Sequence, residues 1–242
     1  MLKTERLDKF LSNQNIGSRK EVSALVKKGA VAVDGAPAKS ADMKIVPSES
    51  VVAVYGKQIG YSRFIYIMMN KPKGVLSATE DSRSATVVDL VPDEMRRKDI
   101  FPAGRLDKNT TGLLIITDDG ELAHRMLAPK SHVFKLYEAV LDAPVAEEDI
   151  AAFSEGVMCG SRKFLPAELW LENENDPFTA RVKIREGKFH QIKRMFFECG
   201  KNVLELKRLS IGGLALDPKL EPGDCRILNA KEISDIFLDN LH

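Results

Sequence analysis

Two short strings hold most of the residues in this chain that can do chemistry. The first is Gly104-Arg105-Leu106-Asp107-Lys108-Asn109-Thr110-Thr111-Gly112-Leu113-Leu114, an acid between two cations on a glycine-bracketed loop that runs into an apolar strand. Opposite charges that close favour the ionised form of a carboxyl group, and a loop carried by a rigid strand is where reactive groups tend to sit. Such a carboxylate can serve as a nucleophile or a proton acceptor. The alternative is an Asp107 that caps a turn and pairs with Arg105, and the residues alone favour it. The second string is Glu186-Gly187-Lys188-Phe189-His190-Gln191-Ile192-Lys193-Arg194-Met195-Phe196. At helical spacing His190, Lys193 and Arg194 share one arc, while Ile192, Met195, Phe196 and Cys199 face the other way. That basic arc can hold phosphates or a reactive carboxylate, or it can be a solvated helix face.

The elements that must position these strings follow from apolar periodicity and turn residues. Phe64–Met69 predicts a strand ending in the turn Asn70-Lys71-Pro72-Lys73-Gly74. Leu113–Thr117, Val133–Leu141, Ala167–Glu172, Thr179–Ile184 and Val203–Ser210 predict further strands. A helix is expected after Asp118-Asp119-Gly120 through Leu127, and others over 145–155, 190–199 and 231–239. The order lacks the regular alternation of a parallel sheet, so the fold class is α+β with a mainly antiparallel sheet.

Residues 1–60 form a different pattern. Leu7, Phe10 and Leu11 mark a short amphipathic helix over 5–13. Ser18 with Glu21 makes a capping box that opens a second helix through Lys28, stopped at Gly29. Val22, Leu25 and Val26 share its apolar face, and Arg19, Lys20, Lys27 and Lys28 form a basic stripe on the other side. Strands are expected at Ala30–Val33, closed by the turn Asp34-Gly35, and at Ser50–Tyr55. A boundary falls near Ile59–Arg63, between Gly56, Gly60 and the apolar run from Phe64.

The net charge of +1 conceals an asymmetry: residues 1–60 carry ten Lys/Arg against six Asp/Glu, and the remainder 26 against 29. A basic N-terminal segment points to a polyanionic partner, although solvated surfaces show such imbalances too. The apolar content of 44% and charged content of 29% are those of a globular protein, with material for one or two domains in 242 residues. No apolar run is long enough to span a membrane, and Met1–Arg6 is charged, unlike a secretion signal. Cys159, Cys199 and Cys225 are widely spaced and odd in number, which fits a reducing cytosol. Neither GxGxxG nor a P-loop string occurs, and His124, His132, His190 and His242 form no metal-ligand spacing with the cysteines.

Taken together, the strings resemble a known family. Arg6-Leu7-Asp8-Lys9-Phe10-Leu11, Gly17-Ser18-Arg19-Lys20-Glu21 and Lys28 through Gly35 resemble the S4-like RNA-binding domain over residues 4–55. Asn70 through Gly74, Gly104-Arg105-Leu106-Asp107 with Thr111-Gly112-Leu113-Leu114, Lys135-Leu136-Tyr137, and Glu186 through Met195 resemble, in order and spacing, the pseudouridine synthases of ribosomal RNA that carry such a domain. The ending Ile211 through Pro218 with Leu220 through Asp224 is similar to the small-subunit (16S) branch.

The resemblance implies an S4-like α/β RNA-binding domain at 1–60 and a mixed, mainly antiparallel catalytic domain at 61–242. It also implies an isomerase acting on a 16S rRNA uridine after base flipping, in ribosomal RNA or a partly assembled subunit, as a cytoplasmic monomer without cofactor or metal. The alternatives it leaves are the same reaction on 23S rRNA and a non-catalytic S4-domain assembly protein. Asp107 matches the family's essential aspartate, Tyr137 the tyrosine lying against the base, and Lys193 the basic partner of the aspartate. Arg105, Lys71, Lys73, His190 and Arg194 are expected on RNA, with Arg19, Lys20, Lys27 and Lys28 facing its phosphates.

Overall fold

The computed structural model describes residues 4–128, 131 and 133–238, which divide into two compact units. One unit holds residues 1–65 with the excursion Pro92–Asp99; the other holds Tyr66–Val91 and residues from Ile100 onward.

The first unit runs β1 (Glu5–Arg6), α1 (Leu7–Asn13), α2 (Arg19–Lys27), β2 (Val31–Val33), β3 (Ala36–Pro37), β4 (Lys44–Ile45), β5 (Val52–Val54) and β6 (Lys57–Ile59). The capping box at the start of α2 is formed: the Glu21 amide donates to the Ser18 hydroxyl at 3.3 Å and the Ser18 amide to the Glu21 carboxylate at 2.7 Å. Strict alternation in β2 and β5 turns Val31, Val33, Val52 and Val54 inward, where they meet Leu7, Phe10, Leu11 and Val22. The excursion at 92–99 is tied to this unit by polar contacts. Asn15 donates to the Glu94 carbonyl at 3.0 Å, and Arg97 donates to the Ser62 carbonyl at 3.1 Å and to the Gln14 side chain at 2.9 Å.

The second unit runs β7 (Tyr66–Lys71), β8 (Phe101–Ala103), β9 (Thr111–Thr117), α3 (Gly120–Leu127), β10 (Lys135–Leu141), α4 (Glu147–Glu155), β11 (Met158–Cys159), β12 (Arg162–Lys163), β13 (Glu168–Leu171), β14 (Thr179–Ile184), α5 (Gln191–Glu198), β15 (Val203–Ile211), β16 (Leu214–Ala215), β17 (Cys225–Ile227) and α6 (Ala230–Asp235). Its main sheet has the order β13-β14-β10-β15-β9-β7-β17, with β8 added on β9 and β16 on β15. Among the described strands of this sheet, β9 and β15 pair in parallel and the other pairs are antiparallel, as the order of elements predicts. The expected helix over 231–239 ends earlier, and its last position, 239, lies outside the described residues, as do His132 and His242.

Two details of this sheet set up the site. Strand β7 runs two residues past its expected end, because Asn70 and Lys71 pair with Leu113 and Gly112. Gly112 sits where β9 crosses close to β15: its φ is +96°, and a Cβ there would meet the Arg208 carbonyl oxygen at 2.2 Å. Only glycine fits that position. Below the sheet, α5 is anchored by Ile192, Met195 and Phe196, all buried, with the Phe196 ring 4.7 Å from that of Phe153 on α4. Burying each such side chain contributes about 1.5–3 kcal/mol, which fixes the face that α5 turns outward.

Candidate active site

The Asp107 loop is held from below by the segment that follows β7. The buried Ser77 hydroxyl donates to the Leu106 carbonyl at 2.9 Å and accepts from the Leu106 amide at 3.1 Å. The Gly74 amide donates to the Lys108 carbonyl at 2.8 Å, and the Thr110 amide closes a turn onto the Asp107 carbonyl at 3.0 Å. Lys71, fully buried, donates its ammonium protons to the carbonyls of Pro72, Lys108 and Thr110 at 3.1, 3.2 and 3.0 Å. Burial pushes this amine down to about 8, opposed by the charge of Asp107. The expectation that Lys71 touches phosphate is therefore corrected: as an inward residue of a strand, it spends its donors on backbone carbonyls. Lys73, past the end of β7, is exposed.

Asp107 does not pair with Arg105. Its carboxylate faces the start of α5, with His190 Nε2 at 3.6 Å from Oδ1 and Lys193 Nζ at 4.0 Å from Oδ2. Arg105, Asp107, Thr110, Tyr137, His190 and Lys193 line one cleft that opens to solvent. The two informative strings thus meet in space, across a half-buried carboxylate. His190 holds a left-handed backbone conformation, φ 50° and ψ 31°, at the N-terminal boundary of α5. A non-glycine residue there is strained, and such strain concentrates at functional sites.

Tyr137 is buried on β10, beside two cations that sequence reasoning did not single out as site residues. Arg208, paired with Tyr137 across β15, donates Nε to the Leu113 carbonyl at 2.7 Å and lies with Nη1 3.5 Å from the Tyr137 hydroxyl. Lys135 donates to the Val133 carbonyl at 2.7 Å, and burial, aided by the charge of Arg208, pushes it down to about 8. A signal for Arg208 exists in the sequence: it occupies an inward position of an alternating strand, where an apolar residue is the default. Buried Arg208 Nη2 and Thr110 Oγ1 have no hydrogen-bond partner among the described residues.

Arg194, expected on RNA, turns toward the protein: its guanidinium donates to the Cys159 carbonyl at 3.2 Å and lies over the Phe164 ring at 5.1 Å. Arg19, Lys20, Lys27 and Lys28 are exposed, on or directly after α2 of the first unit. No helix among the described residues is long and apolar enough to cross a membrane.

This fold and cleft belong to a defined class. A family model described as RNA pseudouridylate synthase matches residues 65–198 and a model of the S4 domain matches residues 5–51, so the chain belongs to the RNA pseudouridylate synthase family and carries an S4 domain. It is 50% identical over 230 residues to an uncharacterised RNA pseudouridine synthase of Bacillus subtilis (strain 168), covering 94% of this chain and 96% of that one. It is 41% identical to ribosomal small subunit pseudouridine synthase A of Vibrio cholerae and 38% identical to the protein of that name in Escherichia coli (strain K12), each over 96% of this chain and 99% of the relative. A crystal structure of a pseudouridylate synthase superposes with a TM-score of 0.66 at 33% identity, covering 96% of this chain and 99% of that one. The chain is an enzyme of the isomerase class, with the α+β, mainly antiparallel fold that its element order implies.

Proposed function

We propose that this chain converts a uridine of small-subunit (16S) ribosomal RNA into pseudouridine, with Asp107 as the catalytic carboxylate. The observation that carries the reading is the Asp107 carboxylate set against Lys193 and His190 in a cleft walled by Tyr137. Near full-length identity of 38–41% to proteins named for the ribosomal small subunit supports the choice of RNA.

The reaction breaks the N–C glycosidic bond, turns the uracil and forms a C–C bond; a carbon of the base gives up a proton and a ring nitrogen gains one. Composition and oxidation state are unchanged, so the step calls for no redox cofactor. The target nucleotide leaves the base stack to reach the cleft, Tyr137 lies against the uracil, and Asp107 acts at the sugar–base junction with Lys193 balancing its charge. The first unit serves as the RNA-binding domain, and the second, which carries the Asp107 cleft, as the catalytic domain. Arg19, Lys20, Lys27 and Lys28 grip phosphates, Arg105 contacts RNA at the cleft, and the exposed Lys73 contacts RNA as well. The protein works as a cytoplasmic monomer on ribosomal RNA or a partly assembled subunit.

Pseudouridine mapping of 16S and 23S rRNA from a deletion strain, complemented with wild type or Asp107→Asn, tests this. One 16S position should lose its modification and regain it with wild type alone. A loss confined to 23S rRNA moves the substrate to the large subunit. An unchanged map in both RNAs overturns the reading in favour of a non-catalytic S4-domain assembly protein.

A further inference from the structure

Phe189 stands between the cleft residues Lys188 and His190 with 75% of its surface exposed, although burial of an aromatic ring is favourable. It is not a loose surface ring. It stacks on His190 with ring centroids 3.8 Å apart and an interplanar angle of 17°. His190 in turn lines the cleft, holds the strained left-handed backbone at φ 50°, and reaches Asp107 at 3.6 Å. The strained residue therefore links two things: a nitrogen against the carboxylate and a ring under Phe189. The inner face of Phe189 is occupied by His190, and the outer face is presented to solvent. Lys188 and Arg105, both lining the cleft, supply positive charge nearby.

We propose that the outer face of Phe189 is a stacking subsite for the nucleobase adjoining the extruded uridine. The inference rests on the proposed uridine isomerisation and adds a subsite to it. Extrusion of a nucleotide leaves its neighbour without a stacking partner. A flat, exposed ring beside the reactive carboxylate replaces that partner, and every base offers a face to it, so the subsite tolerates sequence. The preceding cation, Lys188, suits the phosphate that joins the two nucleotides.

A binding cycle tests the subsite. The probe is an RNA fragment containing the uridine that the wild-type protein converts, intact or with an abasic ribose at either flanking position. Wild type, Phe189→Leu and Phe189→Trp are compared by Kd, with conversion of the intact fragment by wild type as the control. Phe189→Leu should bind the intact fragment about tenfold more weakly and Phe189→Trp within about twofold. At one flanking position the abasic change should weaken wild type about tenfold yet scarcely affect Phe189→Leu, because both changes remove the same contact. Wild-type affinity in Phe189→Leu, or losses that add at both flanks, overturns the subsite while conversion by wild type leaves the isomerase reading intact. If wild type converts no uridine, the isomerase reading fails and the subsite with it.

Discussion

Lys71 donates a 3.0 Å hydrogen bond to the carbonyl of Thr110, and the same ammonium reaches the carbonyl of Lys108 at 3.2 Å, so one buried cation grips the loop just beyond Asp107. Lys71→Met leaves those carbonyls unpaired, at a cost of about 1–3 kcal/mol each, partly offset by removal of a buried charge. Thermal melting should fall by several degrees, and single-turnover conversion should fall at least about tenfold, since small displacements of a reacting group are costly. Near-normal conversion would show that the loop holds itself. Raising the pH through about 8 takes one proton from Lys71, so wild-type turnover should decline on that side.

Asp107→Asn keeps the size of the side chain and its capacity to cap a turn but removes the charge that faces His190 and Lys193. Conversion should drop below detection while melting and RNA affinity stay within a few-fold of wild type. A half-exposed ion pair contributes only about 0–1 kcal/mol, so loss of the charge does not unfold the protein. Activity within about tenfold of wild type would assign the chemistry elsewhere.

Gly112→Ala places a methyl 2.2 Å from the Arg208 carbonyl at a φ of +96°. Neither strand can yield without breaking the β9–β15 pairing, so the expected loss exceeds about 4 kcal/mol. The readout is soluble yield and the urea midpoint; a soluble variant with an unchanged midpoint would contradict the close approach.

Lys135 is buried and pushed from 10.5 down to about 8. A lysine whose folded value is lowered penalises the folded state while both states are protonated, and the penalty lifts as pH rises from about 8 to 10.5. Urea unfolding of wild type and Lys135→Met across that window should show wild type gaining on the variant, by at most on the order of 3 kcal/mol. A difference independent of pH would mean that Lys135 is solvated.

Replacing Arg19, Lys20, Lys27 and Lys28 together by Ala leaves the buried side of α2, with Val22 and Val26, untouched. RNA binding should weaken, and each lost phosphate contact should lower the slope of log affinity against log salt by about 0.7–0.9. An unchanged slope would remove this face from the RNA interface.

Much of the architecture was readable because it is local. The Ser18–Glu21 capping box lies within three residues, the inward and outward positions of β2, β5 and β10 follow from alternation, and the split of α5 into an Ile192-Met195-Phe196 face and a Lys193 face follows from its period. Asp107 stood out for its setting between cations on a glycine-bracketed loop, and the order of the strings carried the family. What tertiary structure alone decided are relations between elements far apart in sequence. Period-two reading places a residue on a face but does not say which strand covers it. Lys71 read as a turn lysine until β9 paired through it, and Arg208 became the neighbour of Tyr137 only through the β10–β15 register. That Asp107 faces His190 and Lys193 rather than Arg105 depends on where the buried side of α5 seats the helix, and on a left-handed residue at its start that no periodicity encodes.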